Sequence, residues 1–303
     1  MSRGDPPVPR LPRIGVWCST QTFGTMPFSG VAWFVGRIEA LGYGMLWIPE
    51  SFGREVMSHA ALLLSCSDRL VIGTGIANIW ARDPVAMENG AKTIADAYPG
   101  RFVLGIGISH LPNVAGRGQQ YRRPLETTRR YLEAMDEARW DGPLAAPRPM
   151  RLIGALGPAM LALSAELADG AHPYLVTPDH TRRAREILGP DALLAPEQSV
   201  ILEADPTIAR TSGRHHLEHY LDRVNYRSSF LRQGFEESDL EHGGSDRLVD
   251  SIIAHGTAED ASDRVRQHFQ AGADHVAVQV VAGDLAETAR ALAELAPVLL
   301  PEP

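Results

Sequence analysis

The fold of this chain is decided by residues 70–108, LVIGTGIANIWARDPVAMENGAKTIADAYPGRFVLGIGI. Two short apolar runs rich in Val, Ile and Gly, at 70–76 and 102–108, flank a longer segment with a helical period. Both runs are almost continuously apolar, which is typical of parallel strands that are covered on both faces. The stretch therefore predicts a βαβ unit of a parallel sheet.

The same alternation continues in both directions along the chain. Six further apolar runs predict strands at 13–17, 44–48, 151–155, 171–176, 199–204 and 275–281. Eight strands, each followed by a helix, favour an α/β fold of the (β/α)8 TIM-barrel type over an open doubly wound sheet. In such a barrel the functional residues lie at the carboxyl ends of the strands.

One segment is longer than a simple barrel requires. Residues 206–256 contain more helix than a single crossover needs, and they are mostly polar. We expect them to form a helical insertion before the last strand that covers the barrel mouth or contacts another subunit. The whole chain, 1–303, is predicted to form a single domain.

Several helices have recognisable boundaries. Thr177 followed by Pro178 predicts a helix N-terminus, and Thr257 with Asp260 predicts a capping box. The segment 159–168 is apolar almost all round, which predicts a heavily buried helix.

The composition excludes some classes of function. The chain has 29 Lys and Arg against 37 Asp and Glu, a net charge of −8, so no overall positive field attracts nucleic acid or an anionic membrane. The hydrophobic fraction of 44% is enough for a large core. We therefore expect an ordered globular protein that binds neither nucleic acid nor a membrane.

The cysteines and the N-terminus bear on the compartment. Cys18 and Cys66 are far apart and outside any CxxC motif, so we expect both to be reduced and buried. Residues 1–13 lack the apolar core of a secretory signal, and no apolar stretch is long enough to span a bilayer. The expected location is the cytoplasm.

Glycine pairs end the third and fourth predicted strands. Gly73 with Gly75, and Gly105 with Gly107, fill only the first two positions of a dinucleotide-binding fingerprint, and His110 stands where the third glycine belongs. A Rossmann site is therefore disfavoured. Two interpretations remain open: close approach of barrel strands, or backbone that passes beneath a flat ring.

Polar groups follow several predicted strands. Gly157-Pro158 opens the helix after the fifth strand, and its free N–H groups could bind an anion or belong to an ordinary turn. His215 and His219 could share a metal ion, but no third ligand lies nearby, so a solvated helix is favoured and no metal is expected. The remaining polar residues at strand ends are Glu50, Ser51, Asn78, Ser109, His110 and Asn113. Together they predict the wall of a polar pocket.

Four stretches carry a resemblance to a known family. They are GYGMLWIPES at 42–51, the run from 69 to 113 that ends in SHLPN, LIGALGPAMLALSAELADGAHPYLVTP at 152–178, and AGADHVAVQV at 271–280. They resemble the luciferase-like monooxygenase superfamily, and within it the actinobacterial branch of coenzyme F420-dependent oxidoreductases. The resemblance implies a (β/α)8 barrel that binds a deazaflavin.

The resemblance also implies which positions contact the cofactor. Gly75-Ile76 matches a pair joined by a non-prolyl cis peptide that backs the ring. Ala155, Leu156 and Gly157 match the turn that receives the cofactor phosphate. Further cofactor-binding positions are expected at Asn78, Ser109, Asn113 and Tyr174.

Two residues are implied as catalytic groups. His110 matches a position that carries an acid near the reacting carbon in a sugar-phosphate dehydrogenase of the superfamily, so it is the candidate proton donor or acceptor. Glu50 matches an acidic pocket position and is the reserve. Ser51 replaces the histidine of that dehydrogenase branch, so sugar-phosphate activity is not inferred. Three arginines could meet the anionic tail of the cofactor or belong to a solvated loop: Arg117, Arg122 and Arg123.

Three functions remain after these observations. The first is a hydride transfer between coenzyme F420 and a small organic substrate. The second is an FMN-dependent monooxygenase of the same superfamily, and the third is a catalytically silent cofactor-binding protein. The resemblance further implies a homodimer.

Overall fold

The computed structural model of the protein describes residues 11–19, 23, 26–143 and 147–300, so both ends of the predicted domain, 1–10 and 301–303, lie outside the described residues. The strands, in chain order, are β1 Ile14–Trp17, β2 Met45–Ile48, β3 Val71–Thr74, β4 Ala77–Asn78, β5 Phe102–Gly107, β6 Met150–Ile153, β7 Gly170–Ala171, β8 Leu193–Leu194, β9 Glu197–Ile201, β10 Ile253–His255 and β11 Val276–Val280. They alternate with helices over most of the chain.

The helices, in chain order, are α1 Phe28–Ala40, α2 Val56–Ser65, α3 Pro84–Ala97, α4 Leu111–Ala115, α5 Pro124–Asp136, α6 Pro158–Leu167, α7 Pro178–Leu188, α8 Pro206–Leu221, α9 Val224–Arg232, α10 Asp246–Ile252, α11 Ala258–Gln270 and α12 Leu285–Leu299. A short 3-10 helix covers Glu237–Leu240. Among the described helices, none combines the length and the apolar character needed to cross a membrane.

The strands form one curled parallel sheet. Neighbours follow the order β10-β9-β11-β1-β2-β3-β5-β6-β7-β8, and β4 pairs with β5. Hydrogen bonds flank the segment that holds β8 and β9 on both sides: Leu193 N–H donates to the Asp169 carbonyl at 2.8 Å, and Ala277 N–H donates to the Pro196 carbonyl at 2.9 Å. The carboxyl ends of the strands therefore face one common edge.

Aromatic and histidine side chains fill part of the space inside the curl. Trp47 of β2 stacks on His172 with ring centroids 4.3 Å apart, and its Nε1–H donates to His275 Nε2 at 2.9 Å. All three side chains are buried. Buried polar groups need partners, and Trp47 and His275 supply one to each other, whereas His172 Nδ1 contacts the Ala195 carbonyl. The helices cover the outside of the sheet.

Each of the eight predicted strands overlaps an observed strand, but three short strands were missed. These are Ala77–Asn78, Leu193–Leu194 and Ile253–His255. The predicted strand 171–176 is shorter than expected, because β7 ends at Ala171, two residues before Pro173, which has no N–H to donate. The predicted caps are confirmed: Thr177 accepts from His180 N–H, and Thr257 forms a capping box with Asp260.

Two predictions about burial were wrong. Helix α6 is not heavily buried, because its alanine face, Ala159, Ala162 and Ala165, is exposed. Small methyl groups tolerate solvent, so an all-apolar helix need not be enclosed. Cys18 is buried, but Cys66 is only half-buried, and both are free.

Candidate functional site

A cavity of about 620 Å³ opens at the edge where the carboxyl ends of the strands meet. Residues that follow β1, β2, β3, β5, β6 and β11 line its lower part, and residues of α8 and α9 line its upper part. Its volume lies within the range of about 300–1,000 Å³ that small-molecule and cofactor sites occupy. The cavity is therefore the candidate site.

The Gly75–Ile76 peptide bond, which lies at the end of β3 and lines the cavity, is cis, as the resemblance implied. Backbone hydrogen bonds hold it against the end of β2. Gly75 N–H donates to the Ile48 carbonyl at 2.8 Å, and the Ile76 carbonyl accepts from Glu50 N–H at 3.2 Å. The peptide is thus fixed by its neighbours on the sheet.

Glycines on the adjacent strands leave room for the Ile76 side chain. A Cβ at Gly107 would lie 2.6 Å from Ile76 Cγ1, and a Cβ at Gly154 would lie 3.1 Å from Ile76 Cγ2. A Cβ at Gly105 would lie only 1.9 Å from the Thr74 carbonyl oxygen. Gly105 is therefore a point of close strand approach, whereas Gly107 and Gly154 make room for a side chain. We call Gly75, Ile76, Gly107 and Gly154 the Ile76 platform.

Glu50 lies beside the platform at the centre of a buried ion-pair network. Its carboxylate accepts from Asn78 N–H at 2.7 Å and from Arg82 Nη1 at 3.0 Å, and Arg82 Nη2 contacts it as well. Arg82 also pairs with Glu55 at 2.5 Å. The Asn78 side chain accepts from Trp80 N–H at 3.0 Å and does not line the cavity. Glu50 is therefore engaged in holding the loop after β4.

His110 follows β5 and lines the same cavity. Its Nδ1 is 3.3 Å from Asn225 Oδ1, and its ring centroid is 5.4 Å from that of Tyr226. Burial lowers the pKa of His110 below its ordinary value, so the ring is neutral at pH 7. If Nδ1–H donates to Asn225, then Nε2 carries the free lone pair. A neutral, cavity-lining imidazole of this kind can accept a proton.

Residues 206–232, which form α8, α9 and the turn between them, are called the roof here. Seven roof residues line the cavity: His215, His216, His219, Tyr220, Arg223, Asn225 and Tyr226. His215 and His219 have ring centroids 6.4 Å apart. Among the described residues, no group of three His, Cys, Asp or Glu side chains is arranged to hold a metal ion.

A tyrosine cluster joins the roof to the sheet. The Tyr174 hydroxyl lies 2.9 Å from the Tyr220 hydroxyl and donates to Gln279 Oε1 at 2.9 Å. Tyr226 packs edge-on against Tyr220 with centroids 4.9 Å apart. Burial raises the pKa of Tyr220 to about 12, and it raises the pKa of Tyr174 as well. Both hydroxyls are therefore neutral hydrogen-bonding groups at pH 7.

A turn at residues 155–157 borders the cavity where α6 begins. Ala155 and Leu156 line the cavity, and Gly157 is the N-cap residue of α6, with no side chain that caps the helix. A Cβ at Gly157 would lie 3.3 Å from Nη2 of Arg232. A helix N-terminus and a guanidinium thus come together at one edge of the cavity.

The structure brings most of the predicted site residues together. Those that line the cavity are Glu50, Ser51, Gly75, Ile76, Ser109, His110, Asn113, Ala155, Leu156 and Tyr174. Asn78 and Gly157 lie just outside, and the loop arginines do not line it: Arg117, Arg122 and Arg123.

Several cavity residues were missed by the sequence analysis. They include Trp17, His172, His216, Tyr220, Asn225 and Gln279. The spacing of His216 and Tyr220 at i and i+4 places both on one helix face, and this signal could have found them. The sequence analysis considered the histidines of this segment only as metal ligands, so the shared helix face of His216 and Tyr220 was not recognised.

Comparison with known proteins identifies relatives. Residues 11–275 match the model of the family described as luciferase-like monooxygenase. A Mycobacterium tuberculosis protein named as a coenzyme F420-dependent oxidoreductase is 27% identical over 55% of this chain and 55% of its own length. The 5,10-methylenetetrahydromethanopterin reductase of Archaeoglobus fulgidus is 25% identical over 85% of this chain and 90% of its own.

Solved structures share the fold. An F420-dependent secondary alcohol dehydrogenase in complex with an F420–acetone adduct superposes with a TM-score of 0.74 at 14% identity, covering 95% of this chain and 99% of that one. The oxygenating constituent of 3,6-diketocamphane monooxygenase from Pseudomonas putida, in complex with FMN, has a TM-score of 0.69 at 14% identity, with coverages of 95% and 99%. At such low identity these matches bear on the fold alone.

Proposed function

The chain belongs to the luciferase-like monooxygenase family, and we propose that it is an oxidoreductase that transfers a hydride between coenzyme F420 and a small organic substrate. The observation that carries this proposal is the Ile76 platform beneath a cavity of about 620 Å³. We further infer that the curled sheet closes as an eight-stranded barrel, because the segment of β8 and β9 has hydrogen-bonded neighbours on both sides. We also propose that the chain forms a single domain and assembles as a homodimer.

The platform fits one face of a flat tricyclic ring. The Ile76 side chain occupies the space beside Gly107 and Gly154, so neither position carries a side chain next to Ile76. Ser109 and Asn113 line the same cavity and offer hydrogen bonds, and Tyr174 supplies a further hydroxyl. When bound, the deazaflavin supplies a carbon that accepts or releases hydride, and the protein supplies the orientation.

The turn at 155–157 is the proposed phosphate site. Ala155, Leu156 and Gly157 precede Pro158, the first residue of α6, and the helix N-terminus carries a partial positive charge. Arg232 adds a guanidinium beside Gly157. Neither the N-terminus nor Arg232 has an anionic partner among the described residues. A phosphate there would meet both.

His110 is the proposed proton donor or acceptor for the substrate. It lines the cavity, it is neutral at pH 7, and Asn225 orients its ring. Glu50 remains the reserve group, but its carboxylate already has three contacts with donors from Asn78 and Arg82. Proton exchange at Glu50 would have to break these contacts, so His110 is preferred.

Two alternatives keep the same cavity. The match to the luciferase-like monooxygenase family makes an FMN-dependent monooxygenase the second candidate. The third is a cofactor-binding protein without turnover.

Titration with the two cofactors tests the proposal. Purified protein is titrated with F420 and, separately, with FMN, and the quenching of each cofactor's fluorescence gives its Kd. Micromolar binding of F420 with weaker binding of FMN supports the proposal, whereas preference for FMN would favour the monooxygenase. Tight F420 binding with no turnover on panels of enones, alcohols and imines would favour the silent protein.

A further inference from the structure

Glu197 is a buried carboxyl group that the proposed mechanism does not use. Its side chain lies on β9 beneath the cavity and is 1% exposed. It accepts from Ser199 Oγ–H at 2.6 Å and from Leu175 N–H at 3.1 Å. Among the described residues it forms no ion pair, so no cation compensates a negative charge at this position.

A chain of two further side chains leads from this carboxyl group to the cavity. Ser199 Oγ lies 3.4 Å from Nε2 of His216, and His216 is a roof residue that lines the cavity. The other ring nitrogen, Nδ1, forms no hydrogen bond within the described part of the chain. It is therefore the nitrogen that is left to meet a ligand.

We propose that Glu197, Ser199 and His216 form a proton relay between a buried carboxyl group and the ligand-filled cavity. This inference rests on the proposed function, because it assigns the second of the two protons that the reaction moves. His216 is the catalytic residue of the relay, since it lines the cavity that would hold the ligand. Ser199 and Glu197 act through it and are positioning residues.

The proton balance of the reaction calls for two such groups. Oxidation of an alcohol to a ketone releases a hydride from carbon and a proton from oxygen, and the reduced deazaflavin holds one hydride and one proton more than the oxidised form. His110 takes the proton from the substrate oxygen. The relay supplies the other in the state in which Glu197 is protonated, its O–H donates to Ser199 Oγ and the Ser199 hydroxyl is turned to His216. His216 then donates from Nδ1 and takes the Ser199 proton at Nε2, and Ser199 takes one from Glu197. Reduction of the ketone runs every transfer in reverse.

The ionisation behaviour of the two ends agrees with these roles. Burial raises the pKa of Glu197 to about 7, so the group can hold or release a proton at neutral pH. Burial lowers the pKa of His216 to about 4, with His219 and His215 adding to the effect, so the ring passes a proton on without storing it.

The other titratable groups that face Glu197 do not compete with it. These are three tyrosines, namely Tyr174 from the loop after β7, Tyr220 from α8 and Tyr226 from α9. Burial raises the pKa of each tyrosine, so all three are neutral wherever Glu197 titrates.

The first test needs no cofactor. Ring signals of ¹⁵N-labelled histidine are followed by NMR from pH 5 to 9, with His216 assigned from the His216→Gln variant. In the unaltered protein the His216 signals should shift with a midpoint near pH 7, because they report Glu197 through Ser199. The step should vanish in Glu197→Gln and Ser199→Ala, and it should persist in Ser199→Thr. It should also persist in Ser164→Ala, which removes a buried hydroxyl that donates only to the Met160 carbonyl.

No step near pH 7 in the unaltered protein, or a step that survives Glu197→Gln, would overturn the relay.

The second test uses oxidised F420 with propan-2-ol or cyclohexanol as probes. Glu197→Gln and Ser199→Ala should lower kcat at least about tenfold with unchanged KM and remove the fall in rate as pH rises through 7. Ser199→Thr should restore both. Unchanged kcat would contradict the relay, whereas failure of F420 to bind the unaltered protein would contradict the proposed function and leave the NMR result standing.

Discussion

The Ile76 platform and the roof line one cavity, and they are built differently. The platform is held by backbone: Gly75 N–H and the Ile76 carbonyl are bonded to the end of β2. The roof presents side chains, and its histidines and tyrosines contact one another or the sheet through single hydrogen bonds and ring edges. Shape is fixed on one side, and ionisable chemistry is concentrated on the other.

This difference separates two tasks. A ring seated on backbone is bound through surface contact, which depends on small residues and strand geometry. A substrate beneath the roof meets groups whose identity can change without moving the sheet. We expect substitutions in the platform to alter cofactor affinity, and substitutions that touch the roof to alter turnover.

The largest expected effect is on turnover, and it comes from His110, which contacts Asn225 and Tyr226 of the roof. His110→Ala should lower kcat by about 10²–10⁴-fold, the usual contribution of a positioned acid or base, and should change the Kd for F420 little. Stopped-flow kinetics and fluorescence titration measure the two quantities. His242→Ala, in an exposed loop outside the cavity, is the control. If His110→Ala weakened F420 binding as much as it lowered kcat, cofactor binding and turnover would not be separate tasks.

The next effect tests the cost of a buried carboxyl group below the roof. The pKa of Glu197 is raised to about 7, so the folded protein loses stability as pH rises from the unfolded value near 4.5 through 7. Glu197→Gln should therefore gain roughly 2–3 kcal/mol relative to the unaltered protein between pH 5 and 8.5. Urea unfolding at both pH values measures this gain. A stability difference that does not change with pH would contradict it.

A smaller effect tests the platform itself. Gly107→Ala places a methyl group 2.6 Å from Ile76 Cγ1 and should displace that side chain. Overpacking of about 1–3 kcal/mol corresponds to F420 binding weakened about 10- to 100-fold. The double variant Gly107→Ala/Ile76→Ala should recover part of the affinity. Gly36→Ala, where an added Cβ meets nothing within 4 Å, is the control for the substitution alone.

The smallest expected effect is on cofactor affinity, and it tests whether one roof residue, Arg232, contributes to binding. Arg232 belongs to the roof but lies beside Gly157, so it should affect binding and not turnover. Arg232→Gln should weaken F420 by about tenfold, the worth of one charge-assisted hydrogen bond at an exposed site. The phosphate-free deazaflavin chromophore should bind both proteins equally. Equal weakening of the two ligands would show that Arg232 does not contact phosphate.

Most of the sheet was predictable because its strands are recognised from residues that are adjacent in the sequence. The apolar run 102–108 and the helix cap at Thr177 are signals of this kind, and the structure confirms both. The three missed strands, Ala77–Asn78, Leu193–Leu194 and Ile253–His255, are too short to show a period. They are strands only because other strands of the sheet pair with them.

The site was predictable in part for the same reason. Gly75, Ile76 and His110 follow strands, and their positions came with the resemblance. Asn78 was misjudged as a cavity residue, because its side chain turns to Trp80 N–H in a loop whose conformation depends on Glu50 and Arg82. The link from Glu197 to His216 joins β9 to α8, and no local pattern specifies a contact between a strand and a helix face.

The pairing of β10 with β9 has a consequence for how the protein could change. Ile253 lies opposite Ser199 and His255 opposite Ile201, so the chain returns beside the strand that it left. The residues between, which include the roof, therefore start and finish at adjacent points of the sheet. Recombination with a relative could therefore exchange this contiguous piece in one event and leave the Ile76 platform unchanged.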